Sequence, residues 1–246
     1  MKRIVVGRRA VVEAIRANGK DVAAVFVDEH DAGALREIEE EARRAGLTVV
    51  LKSTAELDEL ADGLRHQGAI AIGGEFSYVD METLRRRSKE PPLFVALDEI
   101  TDPHNFGAII RSAVAFGADG IITLKHRAAP VTPVVVRAST GATEHASIAR
   151  VTNLVSTLKE LAEEGFDIVG LDAEGTTSMD EIGTAELGTV LVIGSEGKGL
   201  RRLVREHCTR LARIEMDGPI ASLNASVAAG IAIHYAARGR ARIAKP

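Results

Sequence analysis

The segment Val190–Leu200 reads VLVIGSEGKGL and gives the clearest indication of the fold. Its four leading apolar residues predict a buried strand, and the chain then runs straight into a glycine-rich turn. Glycines allow a ligand to approach the backbone closely, although a tight structural turn uses them equally well. Glu196 is harder to explain, because a plain turn needs no carboxylate. The stretch lacks the Lys-Ser/Thr pair of a P-loop and the three spaced glycines of a dinucleotide-binding loop.

A second segment, Leu97–Arg111, reads LDEITDPHNFGAIIR and predicts a strand, an acidic turn and the start of a helix. Ligands bind at the carboxyl ends of strands in open α/β sheets, which makes this turn a candidate site. Asn105 is either a helix cap or a site residue. Arg111 is either half of a surface ion pair or a site residue.

A third segment, Ile214–Gly230, reads IEMDGPIASLNASVAAG and predicts the same succession of strand, turn and helix. Ser222 is a plausible N-cap, and Asn224 and Ser226 are also typical of the first turn of a helix. The small residues that follow permit close helix packing, within the chain or across a dimer.

Strand and helix patterns alternate along the whole chain, which predicts an α/β fold. Residues 1–75 are expected to form a small domain, residues 76–92 a charged, proline-ended linker, and residues 93–246 a domain with a mainly parallel sheet. In the first domain, helices are predicted over Ala10–Ile15 and Ala34–Ala45, and strands over Ala23–Val27, Thr48–Leu51 and Gly68–Ile72. In the second, strands are predicted over Leu93–Leu97, Gly120–Thr123, Ala146–Arg150, Asp167–Leu171, Thr189–Ile193 and Leu211–Ile214, and helices over Asn105–Phe116, Leu154–Glu164 and Ser222–Ala237.

The composition is that of an ordinary globular protein, since 46% of the 246 residues are hydrophobic and 27% are charged. A single cysteine, Cys208, excludes an internal disulfide framework and a thiolate-rich zinc site, and no metal is expected. The chain has no apolar run of membrane-spanning length and no signal-peptide pattern, so a cytoplasmic protein without a membrane partner is expected. The net charge of −4 argues mildly against a protein that coats RNA.

Together and in this order, the three segments resemble the motifs of the SpoU/TrmH family of RNA 2′-O-ribose methyltransferases, within the SPOUT class. The matching residues are Asn105, Gly107 and Arg111 in the first motif, Gly194, Glu196, Gly197 and Gly199 in the second, and Ser222, Leu223, Asn224 and Ser226 in the third. Residues 6–11 and 66–68 resemble signatures of the family's N-terminal L30e-like RNA-binding domain. Residues 139–144 and 151–154 resemble the RlmB type, which methylates a guanosine of 23S rRNA.

The resemblance implies a C-terminal trefoil knot that binds S-adenosylmethionine, and a homodimer that acts on RNA. The implied cofactor-binding residues are Gly194, Ile214, Leu223 and the turn near Gly170. The implied catalytic residues are Asn105, Arg111, Glu196, Ser222 and Asn224, with Arg111 of one chain completing the site of the other. Arg111 is expected to stabilise developing alkoxide rather than to act as a base, because a guanidinium holds its proton too strongly. The expected RNA contacts are Arg8, Arg9, Arg65 and His66, and His66 fits a structural role equally well.

Two residues depart from the family's pattern. Glu215 stands where proline is usual, and Ala225 stands where valine is common, but neither change removes an implied catalytic group. Two alternatives stay open: an enzyme of the same family that modifies transfer RNA or confers antibiotic resistance through ribosomal RNA, and a non-catalytic RNA-binding module. A nucleotide-dependent dehydrogenase is disfavoured by the missing glycine fingerprint.

Overall fold

The computed structural model describes residues 3–183, 185–219 and 222–243. The chain divides into two compact units. The first comprises residues 1–77 and 130–145, and the second comprises residues 78–129 and 146–246. The segment 130–145 therefore belongs to the first unit, although the sequence pattern puts it within the second domain. Within the described ranges, no helix has both the length and the apolar character needed to span a bilayer.

The first unit is a four-stranded sheet covered by helices. Its strands are β1 (Arg3–Val6), β2 (Val22–Asp28), β3 (Val49–Lys52) and β4 (Ala69–Gly73), and its helices are α1 (Arg8–Asn18), α2 (Ala32–Arg44), α3 (Thr54–Ala61) and α6 (Pro133–Ala138). The strand order is β1-β4-β2-β3, with β4 antiparallel to both neighbours and β2 parallel to β3. Helix α3 begins at a capping box formed by Ser53 and Glu56, which satisfies two amides that a helix start would leave unpaired.

The segment 130–145 supplies part of the core of the first unit. Val136 of α6 is fully buried in one cluster with Val11 of α1 and Val25 of β2. Gly141 lies so close to α1 that a Cβ there would come within 2.9 Å of the Ala10 Cα, which requires glycine at this position.

A buried ion pair adds to this packing. The Glu144 side chain is fully buried, and the Arg3 Nη2 atom donates to its Oε2 atom at 2.8 Å. Burial raises the pKa of Glu144, because the charged form loses its hydration. The segment is therefore joined to the strand β1 by charge as well as by apolar contact.

The second unit is built on a seven-stranded sheet in which every pairing is parallel. Its strands are β5 (Leu93–Asp98), β6 (Gly120–Leu124), β7 (Ile148–Val151), β8 (Asp167–Leu171), β9 (Thr177–Ser178), β10 (Thr189–Gly194) and β11 (Arg210–Arg213), and its helices are α4 (Met81–Arg87), α5 (Pro103–Ala115), α7 (Leu154–Glu163), α8 (Arg202–Glu206) and α9 (Ala225–Ile243). The strand order is β7-β6-β5-β10-β8-β11-β9. The central strands are buried along almost their whole length, as expected of a parallel sheet covered on both faces.

The predicted α/β fold with a parallel sheet is confirmed. Every predicted strand agrees with an observed strand to within two residues at each end. The sequence pattern missed the elements β1, β9, α3, α4, α6 and α8, which are too short to show a clear period. One of them, α4, lies within the predicted linker.

Candidate functional site

The three motif segments all follow strands of the parallel sheet, namely β5, β10 and β11. Strand β10 pairs with β5 on one side and with β8 on the other, and β8 pairs with β11. Because these strands are parallel, their carboxyl ends lie along one edge, which is where open α/β sheets bind ligands.

A cavity of about 730 Å³ lies at this edge, within the roughly 300–1,000 Å³ that is typical of small-molecule sites. Its walls come from residues 171–174 at the end of β8 and beyond it, residues 193–200 at the end of β10 and in the glycine-rich turn, Arg205 of α8, two residues after β11, and residues 222–225 with Ala228 around the start of α9. Three of the predicted cofactor-binding residues, Gly194, Ile214 and Leu223, line the cavity.

The fourth, Gly170, does not line the cavity. A Cβ at this position would lie 2.7 Å from the Cys208 Sγ atom and 2.8 Å from side-chain atoms of Leu200 and Leu211. The glycine is therefore needed for close packing inside the second unit, and the next residue, Leu171, forms part of the wall instead. The same packing raises the pKa of the Cys208 thiol to about 12 through burial.

The glycine-rich turn is closed by two backbone hydrogen bonds. The Ser195 amide donates to the Gly199 carbonyl at 3.1 Å, and the Gly199 amide donates to the Ser195 carbonyl at 2.9 Å. A Cβ on Gly194 would lie 2.2 Å from the Gly199 carbonyl carbon, and Gly197 has a φ of +77°. The glycines thus serve the turn and the cavity together, because the same folded backbone forms the wall.

The motifs meet through three polar side chains, which we call the Asn105–Glu196–Asn224 trio. The Asn105 Nδ2 atom donates to the Glu196 Oε2 atom at 3.0 Å, and the Asn224 Nδ2 atom donates to the Asn105 Oδ1 atom at 3.0 Å. Asn105 is buried, whereas Glu196 and Asn224 are exposed towards solvent. One residue from each motif is thereby held in a single hydrogen-bonded line beside the cavity.

The two helix starts differ from the caps that the sequence offered. Helix α5 begins at Pro103 and is capped by Asp102, whose carboxylate accepts the His104 and Asn105 amides. Because Asp102 satisfies these amides, the Asn105 side chain is used for the trio and not for capping.

At α9, Asn224 and not Ser222 provides the cap. Its Oδ1 atom accepts the Ser226 amide at 2.8 Å and the Ser226 hydroxyl at 2.6 Å. Asn224 therefore uses its oxygen to start the helix and its nitrogen to bind Asn105, while Ser222 lies before the helix on the cavity wall.

Arg111 lies on α5 six residues beyond Asn105, about 240° further round the helix at 100° per residue. It is exposed and does not line the cavity.

Sequence reasoning missed a charged group on the cavity wall. The Arg205 Nη2 atom donates to the Glu174 Oε2 atom at 2.9 Å, and its Nε atom lies 3.3 Å from the Asp172 Oδ2 atom. The hydrogen bond with Glu174, followed by the charge of Asp172, raises the pKa of Arg205. A signal existed, because Asp172 directly follows β8 at the same edge of the sheet.

The residues predicted to contact RNA lie in the first unit. Arg9 and Arg65 are exposed, and Arg8 is half-buried with its Nη2 atom 2.7 Å from the Asp31 carboxylate. His66 is buried: its Nδ1 atom accepts the Gly68 amide, and its Nε2 atom lies 3.1 Å from the Asp58 carboxylate. Both ring nitrogens of His66 are thus engaged inside the unit. Across the described part of the chain, no cluster of three or more His, Cys, Asp or Glu side chains is arranged to hold a metal ion.

A parallel α/β sheet with a cavity at its carboxyl edge, walled by a glycine-rich turn and flanked by a polar trio, is the arrangement of a small-molecule site in an α/β protein. The SpoU rRNA methylase family matches residues 92–234, and the family of RNA 2′-O-ribose methyltransferase substrate-binding domains matches residues 4–79. The chain belongs to the SpoU/TrmH family and is an S-adenosylmethionine-dependent RNA methyltransferase.

Similar proteins cover nearly the whole chain. YacO of Bacillus subtilis, whose name places it in the TrmH family of tRNA/rRNA methyltransferases, is 40% identical over 96% of this chain and 95% of its own. The crystal structure of the SpoU methyltransferase AviRb from Streptomyces viridochromogenes with AdoMet matches 98% of this chain and 91% of that one, with a TM-score of 0.77 and 27% identity. An AdoMet-bound rRNA methyltransferase from Sinorhizobium meliloti matches 96% of this chain and 87% of its own, with a TM-score of 0.76 and 26% identity.

The cavity suits S-adenosylmethionine, an adenosine with a flat ring system joined through a sulfonium to a charged amino-acid end. Ile193, Leu200 and Ile214 offer apolar walls, and the turn brings backbone groups close because its glycines carry no side chains. Carboxylates of Asp172 and Glu196 on the wall complement a positively charged sulfonium and ammonium. The resemblance to this family is also what led us to expect a trefoil knot in the second unit.

Proposed function

We propose that the protein methylates the 2′-hydroxyl of a ribose in RNA, and that this ribose belongs to a guanosine of 23S rRNA. The observation that carries the proposal is the Asn105–Glu196–Asn224 trio, which joins the three motifs beside the cofactor cavity. The family that matches the second unit is one of rRNA methylases, and the similar Sinorhizobium meliloti protein is an rRNA methyltransferase. Both matches favour ribosomal over transfer RNA.

S-adenosylmethionine supplies the activated methyl group when bound, so the protein has to supply orientation and electrostatic stabilisation. Glu196 accepts a hydrogen from Asn105, and Asn105 accepts one from Asn224, which fixes the direction of all three side chains. We assign to the trio, with Ser222 on the cavity wall, the task of orienting the ribose and Arg111. Gly194, Ile214 and Leu223 would hold the cofactor.

Arg111 is assigned a place in the site of a partner subunit. On its own chain it is exposed and does not line the cavity, whereas the proposed reaction needs a guanidinium near the ribose to bind the adjacent phosphate and stabilise developing alkoxide. Helices α5 and α9 also carry exposed apolar side chains suited to a homodimer interface. Phe116 packs edge-on against His234 at 5.0 Å between centroids, and Val227 lies two turns before His234 on the same face of α9.

Mixing two inactive variants tests this arrangement. In a heterodimer of Arg111→Ala and Asn224→Ala chains, one site combines an intact Arg111 with an intact Asn224 only if Arg111 acts across the interface. Random exchange makes half of the dimers mixed, each with one complete site, so recovery to about a quarter of wild-type activity is expected. No recovery after exchange, with mixed dimers demonstrated by tag pull-down, would show that Arg111 acts within its own chain.

The first unit is proposed to capture RNA through Arg8, Arg9 and Arg65, in keeping with the family of substrate-binding domains that matches it. His66 is given a structural role because both of its ring nitrogens are engaged within the unit. An enzyme with this substrate is expected to act in the cytoplasm.

Site mapping tests the substrate. Labelled S-adenosylmethionine is incubated with the protein and total RNA from a strain that lacks it, and ribose-methylated positions are mapped in ribosomal and transfer RNA. A single 2′-O-methylguanosine in 23S rRNA is expected. A product in transfer RNA would keep the chemistry and overturn the assigned substrate.

A further inference from the structure

Both ends of the glycine-rich turn lie beside one residue, Asp98 at the end of β5, the first through strand pairing and the second through the buried Asp98 carboxylate. At the start of the turn, Gly194 stands opposite Asp98 in the pairing of β10 with β5. At the end of the turn, the Arg201 amide donates to the Asp98 Oδ2 atom at 2.9 Å, and the Arg201 Nε atom donates to the Oδ1 atom at 2.6 Å. Residues 195–200, which form the cavity wall, are thus held in a loop that Asp98 closes.

The buried carboxylate of Asp98 needs the positive charge of Arg201. It has no exposed surface, and a buried carboxylate without a cation pays a large loss of hydration. The Arg201 guanidinium supplies the charge through two of its nitrogens, because Nε and Nη2 both lie 2.6 Å from the Asp98 Oδ1 atom, a two-nitrogen contact that the single ammonium group of lysine cannot reproduce.

A second carboxylate holds Arg201 from the other side. The Glu99 Oε1 atom lies 3.2 Å from Arg201 Nη1 and 3.0 Å from Arg127 Nη1, at ion-pair distance from both. Glu99 and Arg127 have φ values of 58° and 60°, a left-handed conformation that disfavours residues other than glycine. Such strain persists only where the surroundings impose it, and it is concentrated at functional sites. Asp98, Arg201, Glu99 and Arg127 thus form one chain of alternating charge.

We propose that Arg201 is a positioning residue for the cofactor, with Asp98 as its anchor. Arg201 does not line the cavity, so it acts through the turn, by keeping the backbone of residues 195–200 folded before the cofactor arrives. Preorganisation of this kind lowers the entropy lost on binding, so its removal weakens affinity more than turnover. The inference rests on the proposed function to the extent that this cavity is the cofactor site of the methyl transfer.

The test compares Arg201→Gln and Arg201→Lys with Arg202→Gln in the full-length protein. Arg202 is a matched control, because it follows Arg201 directly but is 78% exposed and pairs with Glu206 four residues on. Three quantities are measured: the dissociation constant of S-adenosylmethionine by calorimetry, the hydrogen exchange of the Ser195 and Gly199 amides without cofactor, and the separate kcat and KM values.

We expect Arg201→Gln to raise the dissociation constant and the cofactor KM by about tenfold, with kcat at saturating cofactor within about threefold of wild type. Exchange of the Ser195 and Gly199 amides should quicken, since their mutual hydrogen bonds would open more often. Arg201→Lys should give values between those of Arg201→Gln and wild type, because it keeps the positive charge beside Asp98 but loses the two-nitrogen contact. Arg202→Gln should match wild type.

Unchanged affinity and unchanged amide exchange in Arg201→Gln, with wild-type binding intact, would overturn the inference while leaving the proposed function standing. A fall in kcat with unchanged cofactor KM would also overturn it, as that pattern belongs to general loss of structure. Failure of the wild-type protein to bind S-adenosylmethionine would overturn both. If Arg201→Gln does not fold, the same measurements on Arg201→Lys decide the question, since the lysine charge continues to neutralise Asp98.

Discussion

Replacing the central amide of the trio by a carboxyl group, in Asn105→Asp, is the sharpest perturbation of the site. The side chain keeps its size but loses the Nδ2 donor that contacts the Glu196 Oε2 atom at 3.0 Å. A hydrogen bond to a charged group contributes about 1.5–3 kcal/mol, and two carboxylates at this distance also repel each other. Solvent around the exposed Glu196 side chain screens the repulsion, so we take about 2 kcal/mol as the net loss.

A compensating effect is present but smaller. Asn105 lies in the first turn of α5, where a negative charge gains about 0.3–1 kcal/mol from the helix dipole. The loss therefore outweighs the gain and leaves about 1–1.7 kcal/mol. A change of that size in transition-state stabilisation lowers kcat/KM by about five- to twentyfold.

The defect should depend on pH with a definite sign. Facing Glu196, the introduced carboxyl group has a pKa raised above its unfolded value of about 3.9. A group whose pKa is raised in the folded protein stabilises the folded state fully at a pH below its unfolded pKa. That stabilisation is lost as the pH rises through its folded pKa. When protonated, the group donates to Glu196 as the amide did. The ratio of variant to wild-type kcat/KM should therefore increase as the pH is lowered.

The assay is methyl transfer to RNA, measured as initial rates across a pH series for wild type, Asn105→Asp and Asn153→Asp. Asn153 caps α7 by accepting the Ser156 amide, and aspartate can accept the same amide, so this control should match wild type. The reasoning is refuted if Asn105→Asp keeps kcat/KM within about threefold of wild type at neutral pH, or if its deficit is the same at every pH.

Three further changes probe the turn, the first unit and the guanidinium. Gly194→Ala should weaken cofactor binding by at least about tenfold in calorimetry, because its Cβ would overlap the turn backbone, whereas Gly218→Ala meets nothing within 4 Å and should bind normally. Val136→Ala should destabilise the first unit by about 2 kcal/mol in chemical denaturation, while Val50→Ala, at a 44% exposed position, should change stability little; equal effects would contradict the place of 130–145 in the core. Arg111→Lys should lose most activity with cofactor affinity kept, since lysine lacks the planar fork, and full turnover would disprove that role.

The meeting of the three motif segments could be predicted from the sequence because it follows from a rule of parallel sheets. Three strands that each end in a polar turn bring those turns to one edge, and the trio of Asn105, Glu196 and Asn224 lies there. The individual roles were harder to assign, because several residues in each turn are suitable caps. At α5 the informative residue is Pro103. Proline favours the first helical position, so its place in the sequence indicates that Asp102 is the N-cap.

The division of the chain could not be read from local patterns. Residues 130–145 contain an apolar run, but only packing distant in sequence shows that Val136 completes the core of the first unit. A deletion of residues 1–75 would therefore leave Val136 and Glu144 without their partners, and point variants are a cleaner test of RNA capture.

The Arg205 and Arg201 contacts also depend on tertiary structure. Arg205 reaches Asp172 across 33 positions of sequence, and Arg201 reaches Asp98 across 103. In the sequence each of these arginines is one of several in a basic run, and no pattern distinguishes the paired from the solvated ones.

Nucleoside analysis of methylated RNA shows whether the enzyme methylates the ribose of a guanosine. Ribosomal RNA from a strain that lacks the protein is treated with the enzyme and S-adenosylmethionine carrying a labelled methyl group, digested to nucleosides and separated by mass. We expect the label on the ribose, as 2′-O-methylguanosine, with none in RNA treated with Arg111→Ala. Label on a base, in the presence of the intact trio, would contradict ribose methylation by this site.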